Sequence, residues 1–371
     1  MNISVPRETA PGERRVALVP PSVALLTKAG LTVVVEAGAG QGAFHQDADY
    51  EKAGATVVSD AATLFRDADV VAKVQRPTDG EIGLIREGAV LIAFLYVAGN
   101  PAVVRRLAER HITAFAMELI PRISRAQSMD AQSSQANIAG YKAVLIAASS
   151  LPKFFPMLMT AAGMVTAARV LVLGAGVAGL QAIATARRLG AQVWGYDVRP
   201  VVKEQVESLG AKFLQFQLSA SDVEDTGGYA KELTEEDRVR QQQWLADQTK
   251  EFDVVITTAL IPGRPAPRLI TKETVARMRP GSIIVDLAAE AGGNCELTRA
   301  DEVVVAHRVT IHGPTNLPST MAVHASQLYA RNVSELVKSI VKDGQLRLDF
   351  SDDILTAACV THDGQIRIGT S

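Results

Sequence analysis

The sequence predicts an α/β protein built from two Rossmann-like, doubly wound parallel-sheet domains joined by long helices. Three observations lead there. Short apolar, β-branched runs alternate with longer helical patterns almost throughout, and such alternation implies parallel strands linked by crossover helices. The alternation occurs twice, over roughly residues 1–120 and again from residue 168. Within the second set, a glycine-rich turn separates a buried strand from a helix, the arrangement that seats a dinucleotide on an open parallel sheet.

The predicted strands fall at 32–36, 70–74, 90–94, 170–173, 192–196, 254–257, 282–286 and 309–311. Helical patterns lie between them, for example at 21–29, 101–110, 179–189 and 203–209. A polar segment rich in Ser and Gln, 121–135, separates the two sets, and a long helical passage, 136–167, follows it as a link. A helix at 322–341 then leads into a C-terminal segment that packs back on the first domain. The expected division is 1–134 with 320–371, and 135–319.

Composition narrows the class. At 371 residues the chain has room for about two domains, and 47% hydrophobic with 21% charged residues describes a globular core with a solvated surface. Only 5% of residues are aromatic, so small aliphatics fill strands buried on both faces. A net charge of −2 with interspersed signs excludes the field of a nucleic-acid binder. Cys295 and Cys359 stand apart, with no CxxC and no His cluster at metal-ligand spacing, which favours a reducing compartment and no metal. Residues 1–8 lack the basic start and apolar core of a signal peptide. The longest apolar stretch, 141–165, is interrupted by Lys142, by Ser149-Ser150-Leu151-Pro152-Lys153 and by Pro156. A membrane span needs roughly 20 uninterrupted apolar residues, so this stretch reads as two buried helices.

The sharpest local signal is Val170-Leu171-Val172-Leu173 followed by Gly174-Ala175-Gly176-Val177-Ala178-Gly179 and a helix ending at Gly190. Gly174 permits the tight turn, Gly176 lets the backbone approach a pyrophosphate, and Gly179 lets helix and strand pack closely. The helix start supplies N–H groups and a positive dipole end. Asp197 closes the next strand eighteen residues after Gly179, placed to accept hydrogen bonds from ribose hydroxyls and to repel a 2′-phosphate. NAD is therefore expected over NADP. Arg199 offsets that repulsion in part, although a solvated side chain is the preferred reading. The segment 219–243 carries Gly227-Gly228-Tyr229 amid polar residues. It is either a loop that closes over nucleotide or a surface insertion.

The run Arg125-Ala126-Gln127-Ser128-Met129-Asp130, then Ser133-Ser134-Gln135-Ala136-Asn137-Ile138-Ala139-Gly140-Tyr141-Lys142, resembles the signature of proton-translocating NAD(P) transhydrogenases, in their soluble NAD(H)-binding alpha-subunit domain. Pro6-Arg7-Glu8, Arg14-Arg15-Val16-Ala17-Leu18-Val19-Pro20, the Gly174 turn and Ala288-Ala289-Glu290-Ala291-Gly292-Gly293-Asn294 match as well. The resemblance implies that Arg122, Asp130 and Ser133 hold a nicotinamide ring, with Asp130 paired to Arg122, and that Gln127 reaches towards a partner's nucleotide. It further implies cofactor contacts from Met129, Gly174, Gly176, Val177, Ala178, Gly179, Asp197, Val198, Arg199, Gly228, the loop Tyr229, and Leu260.

By the same resemblance NADH here passes hydride directly to NADP⁺ on a partner component. No substrate heteroatom changes protonation, so holding two rings roughly 3–3.5 Å apart is the catalytic task. Membrane subunits carry the proton path. The chain ends without an apolar run long enough to span a bilayer. The expectation is therefore a split-subunit or truncated form: a peripheral subunit, a homodimer as is usual in the family, docked beneath membrane partners on the cytoplasmic face of the inner membrane.

The wider superfamily includes alanine dehydrogenases, which the resemblance describes as using a Lys and a His with an Arg clamp. Arg15 and Lys73 stand at two of those positions, but Tyr96 occupies the His position. An unperturbed tyrosine, with a pKa near ~10, is a poor base at neutral pH, so Arg15 and Lys73 read as structural ion-pair members. A catalytically silent NAD-binding regulator is the third reading.

Overall fold

The structure, a computed structural model, describes residues 1–216, 234–261 and 263–367. It divides into two compact units, Met1–Gln135 with Pro318–Ser371, and Ala136–Leu317.

The first unit is built on one eight-stranded sheet. From edge to edge it runs Gln365–Ile366, Cys359–His362, Thr113–Ala116, Val90–Ala93, Val70–Ala72, Asn2–Val5, Thr32–Glu36 and Thr56–Val58. The six strands from Thr113–Ala116 to Thr56–Val58 are parallel. Numbered along the chain, their order is 3-2-1-4-5-6 read from the Thr56–Val58 edge, the doubly wound order. Cys359–His362 then adds antiparallel to Thr113–Ala116, which brings the C-terminal segment into this sheet. Val70, Val90 and Ile92 belong to one core cluster while Val71, Leu91 and Ala93 belong to the other. Neighbouring residues of a strand thus point to opposite faces, both covered, which is why these strands read as unbroken apolar runs. Helix Ala322–Ile340 covers one face, burying Ala325, Tyr329, Val333, Leu336 and Ile340 at helical spacing.

The second unit repeats the plan in seven strands: Lys212–Leu214, Gln192–Tyr196, Arg169–Leu173, Val254–Thr257, Ile283–Asp286, Val309–His312 and Val303–Ala306. Only Val303–Ala306, at one edge, is antiparallel. Val170, Val172, Val254 and Ile256 face one core cluster, and Leu171, Leu173 and Val255 the other.

All eight predicted strands are present, within two residues of the expected limits. The passage 136–167 is different. Its helix, Ala131–Ser150, stops before Pro152, and the second expected helix is a β-hairpin pairing Leu158–Thr160 with Gly163–Val165. Pro152 and Pro156 remove the N–H groups that a helix would need, and Gly163 turns the chain at φ +123°. The hairpin is not buried either: Met159 and Met164 are 73% and 60% exposed. None of the described helices is long and apolar enough to cross a membrane.

Candidate functional site

In the second unit, strand Arg169–Leu173 lies between Gln192–Tyr196 and Val254–Thr257. The crossovers leave in opposite directions there, so a crevice opens at the carboxyl ends of these strands. Gly174 turns the chain at φ +99°, where a side chain would also meet the Thr258 hydroxyl. Gly176 is the N-cap of helix Val177–Arg188, and no side chain caps that helix. The N–H groups of its first turn are therefore available to an external acceptor. A Cβ on Gly179 would overlap the Gly174 carbonyl, so only glycine lets the helix start this close to the strand. These features fit a pyrophosphate.

Asp197, at the end of the neighbouring strand, is bound to the same turn. Its Oδ2 accepts from Ala175 N at 2.8 Å. Arg199 is not the solvated side chain expected from sequence. Its Nε and Nη2 each donate to the Asp197 carboxylate at 2.9 Å, and its backbone N–H donates to Oδ1 at 2.9 Å. The ion pair is largely withdrawn from solvent, with 13% and 7% of the two side chains exposed. The short loop after Asp197 brings the guanidinium back along the carboxylate, a closure that residue types alone do not announce. Val198, between them, is half-buried.

The loop after Val254–Thr257 is held from two sides. Thr258 Oγ1 donates to Gly174 O at 3.0 Å. Asn294, fully buried, accepts from Ala259 N at 3.0 Å and donates to Ala259 O at 2.8 Å and Pro267 O at 2.9 Å. Beneath it, the buried Asp286 accepts from Thr257 Oγ1, Ala288 N, Cys295 N and Thr298 Oγ1. Leu260 projects from this loop, 45% exposed. Sequence reasoning gave Asn294 and Asp286 no role. The signal was a polar residue closing a buried strand, with another eight positions on. Gly140 was missed too: a Cβ there would overlap the Ala178 carbonyl, so it lets its helix lie against the glycine-rich turn. Gly228 and Tyr229 lie outside the described residues.

In the first unit, Gln127 and Met129 sit on a 3₁₀ turn, Ser124–Met129; of the predicted nicotinamide-holding residues, Arg122 lies two positions before that turn, Asp130 just after it, and Ser133 in the first turn of helix Ala131–Ser150. Ala126 and Met129 anchor the turn in the core, Asn332 Nδ2 donates to Ser128 O at 2.8 Å, and Arg125 pairs with Asp352 and Asp353. Gln127 and Arg122 are left exposed. Asp130 caps the helix, accepting from Ser133 N at 2.8 Å and Ser133 Oγ at 2.6 Å. Met129, by contrast, has only 9% of its surface exposed.

The first unit also gathers a buried charged group. Arg15 binds Glu13 in a fork at 2.8 and 2.6 Å and Gln135 at 2.8 Å. Lys73 Nζ lies 2.8 Å from Glu81 and 3.5 Å from Glu8. Burial works against the charge on Glu13, yet Arg15 and Gln75 hold its pKa down to about 2. On Glu8 burial prevails over Lys73 and raises the pKa. Tyr96 adopts the left-handed region at φ 47°, its loop held by Glu118, which accepts from Leu95 N and Val97 N, and by Asn100, which donates to Leu95 O and Tyr96 O.

Two open sheets of the dinucleotide-binding order, one carrying a complete glycine turn with an acidic residue at the next strand end, define a Rossmann-type NAD-binding oxidoreductase component. The family models described as alanine dehydrogenase/PNT, N-terminal domain and C-terminal domain match residues 4–139 and 143–369. An NAD(P) transhydrogenase alpha-subunit chain of Rhodospirillum rubrum is 52% identical over 99% of this chain and 97% of its own. The crystal structure of transhydrogenase from Sinorhizobium meliloti superposes with a TM-score of 0.88 at 48% identity, covering 99% of this chain and 100% of that one. Alanine dehydrogenase 2 of Staphylococcus aureus is 31% identical over 86% of this chain and 82% of its own. The chain belongs to the alanine dehydrogenase/PNT family and, within it, to the transhydrogenase alpha-subunit group.

Proposed function

We propose that the chain is the NAD(H)-binding component of a proton-translocating transhydrogenase, exchanging hydride with NADP(H) held by a partner component. The observation that carries this reading is the intact glycine turn with Asp197, in a chain 52% identical over nearly its whole length to a transhydrogenase alpha subunit. When bound, NADH supplies the hydride. The chain's own residues then bind and orient. The first-turn N–H groups of helix Val177–Arg188 receive the pyrophosphate, Asp197 the adenosine ribose, and Leu260 walls the adenosine. Arg122, Asp130 and Ser133 hold the nicotinamide end. The bonds from Asp130 to Ser133 support this by fixing both side chains before any ligand arrives. Met129, buried in the core, offers its backbone. Gln127, exposed on an anchored turn, faces the partner's nucleotide. No side chain has to gain or lose a proton, which accords with Tyr96 in place of a base. Arg15 and Lys73, already matched by carboxylates, are structural.

In this reading the protein works as a homodimer, peripheral on the cytoplasmic face of the inner membrane, beneath membrane subunits that couple hydride transfer to proton movement. The test incubates the purified chain with NADH and a purified NADP(H)-binding component. Hydride exchange only in the partner's presence is the expected result. Turnover of L-alanine by the isolated chain would replace the proposal with alanine dehydrogenase, and nucleotide binding without either activity would leave a silent regulator. Gln127→Asn should slow exchange about tenfold with NADH affinity unchanged; lost affinity with unchanged turnover would contradict its role.

A further inference from the structure

We infer that Arg199 is a latent ligand for a 2′-phosphate, held out of use by Asp197, so that nucleotide selectivity resides in the pair rather than in the carboxylate alone. The inference rests on the NAD(H) reading of this site and deepens it. A carboxylate offers about four lone-pair positions. Four donors occupy Asp197: Ala175 N, Arg199 N, Arg199 Nε and Arg199 Nη2. Two of the four come from the guanidinium. A ribose bearing both hydroxyls therefore gains its acceptors by displacing Arg199 side-chain donors, and the carboxylate is kept oriented for that exchange by the two backbone N–H groups.

Charge leads to the same conclusion. A lone carboxylate at this strand end presents −1 to an incoming 2′-phosphate, whereas the pair presents no net charge. Repulsion alone is then a weak filter. What excludes the phosphate is that the fork fitting it is already closed on Asp197, since a guanidinium binds carboxylate and phosphate through the same pair of parallel N–H donors. The location is also right. An arginine just past the end of the second strand of a Rossmann unit is where 2′-phosphates are taken up, and Arg199 follows strand Gln192–Tyr196 by three positions.

The test is a two-residue cycle on the full chain, read by equilibrium titration of NADH and NADPH fluorescence. Asp197→Asn keeps the side-chain shape and an acceptor for Ala175 N but releases the guanidinium. It is expected to tighten NADPH binding about tenfold or more, the scale of a charge-assisted hydrogen bond, while weakening NADH. Asp197→Asn with Arg199→Ala is expected to lose the whole gain. Asp197→Ser, which empties the same space, should show the same pattern and serves if the Asn variant does not fold. NADPH binding no tighter than in the parent, in a variant that still binds NADH, would overturn the inference. So would a gain that survives removal of Arg199. Failure of the parent chain to bind NADH would instead strike the reading of the site itself, and is seen before any variant is made.

Discussion

Both units share a sheet order that reverses beside the first strand, yet the two reversal points hold opposite chemistry. In the second unit, Gly174-Ala175-Gly176 leads from the strand straight into helix Val177–Arg188, and the crevice is lined by backbone N–H groups. In the first unit, the helix after Asn2–Val5 does not start until Pro20. The intervening chain carries Glu8 and Glu13 instead. Glu8 accepts from Val74 N and Gln75 N beyond the fourth strand, and Lys73, Arg15 and Glu81 complete the packing. Three carboxyl groups and two cations, paired with one another, fill the place where the second unit has a positive helix end. The same topology thus makes a nucleotide cradle once and an ion-paired plug once. Topology supplies the crevice; the residues after the first strand decide what fills it.

The hardest way to break this contrast is to place a side chain in the cradle. Gly179→Ala should weaken NADH binding roughly 100-fold, because its Cβ would overlap the Gly174 carbonyl and push the helix start from the strand. A fluorescence titration finding less than a tenfold change would show that the close approach is dispensable.

Next comes the plug. Glu13→Gln should cost about 3 kcal/mol at neutral pH, since the buried Arg15 loses the charge of the Glu13 carboxylate. The pH dependence follows from sign. The folded pKa of about 2 lies below the ordinary value of 4.5, so the pair's contribution is full above about 4.5 and fades as pH falls towards 2. Denaturant unfolding of parent and variant should therefore differ at pH 7 and converge at the acid end. NADH affinity should not change. A tenfold loss of affinity would mean that the two reversal points are not functionally separate.

A smaller effect sharpens the account of the cradle. Asn294→Ala removes three hydrogen bonds and leaves the half-buried Ala259 N and O, and Pro267 O, without them. About 2 kcal/mol of stability should go. If the loop bearing Leu260 wanders as a result, NADH affinity falls several-fold while Asp197→Asn still shifts nucleotide preference. Unchanged affinity, measured by the same titration, would make Asn294 a core residue only.

Much of this was legible in the sequence. β-branched runs buried on both faces made eight of the fifteen strands of the two large sheets readable, while Asn2–Val5, Thr56–Val58, Thr113–Ala116 and four other strands were not predicted; Gly174, Gly176, Gly179 and Asp197 lie close enough in sequence for spacing to carry their meaning. The hairpin at Leu158–Val165 was not readable, because a few Leu, Met and Val residues show no period and can serve either structure.

By itself the sequence determined the paired Rossmann-like architecture, the position of the dinucleotide turn and the acidic residue beside it, because each is a local pattern of residue type and spacing. Tertiary structure alone decided that Arg199 folds back onto Asp197, that Asn294 holds the loop at Ala259, and that Glu8, Glu13, Arg15, Lys73 and Glu81 meet in one buried group. The physical reason is the same in each case. A hydrogen bond or ion pair is set by how loops and strand ends fold in space and by how little water remains between the partners, and residue types along a chain record neither.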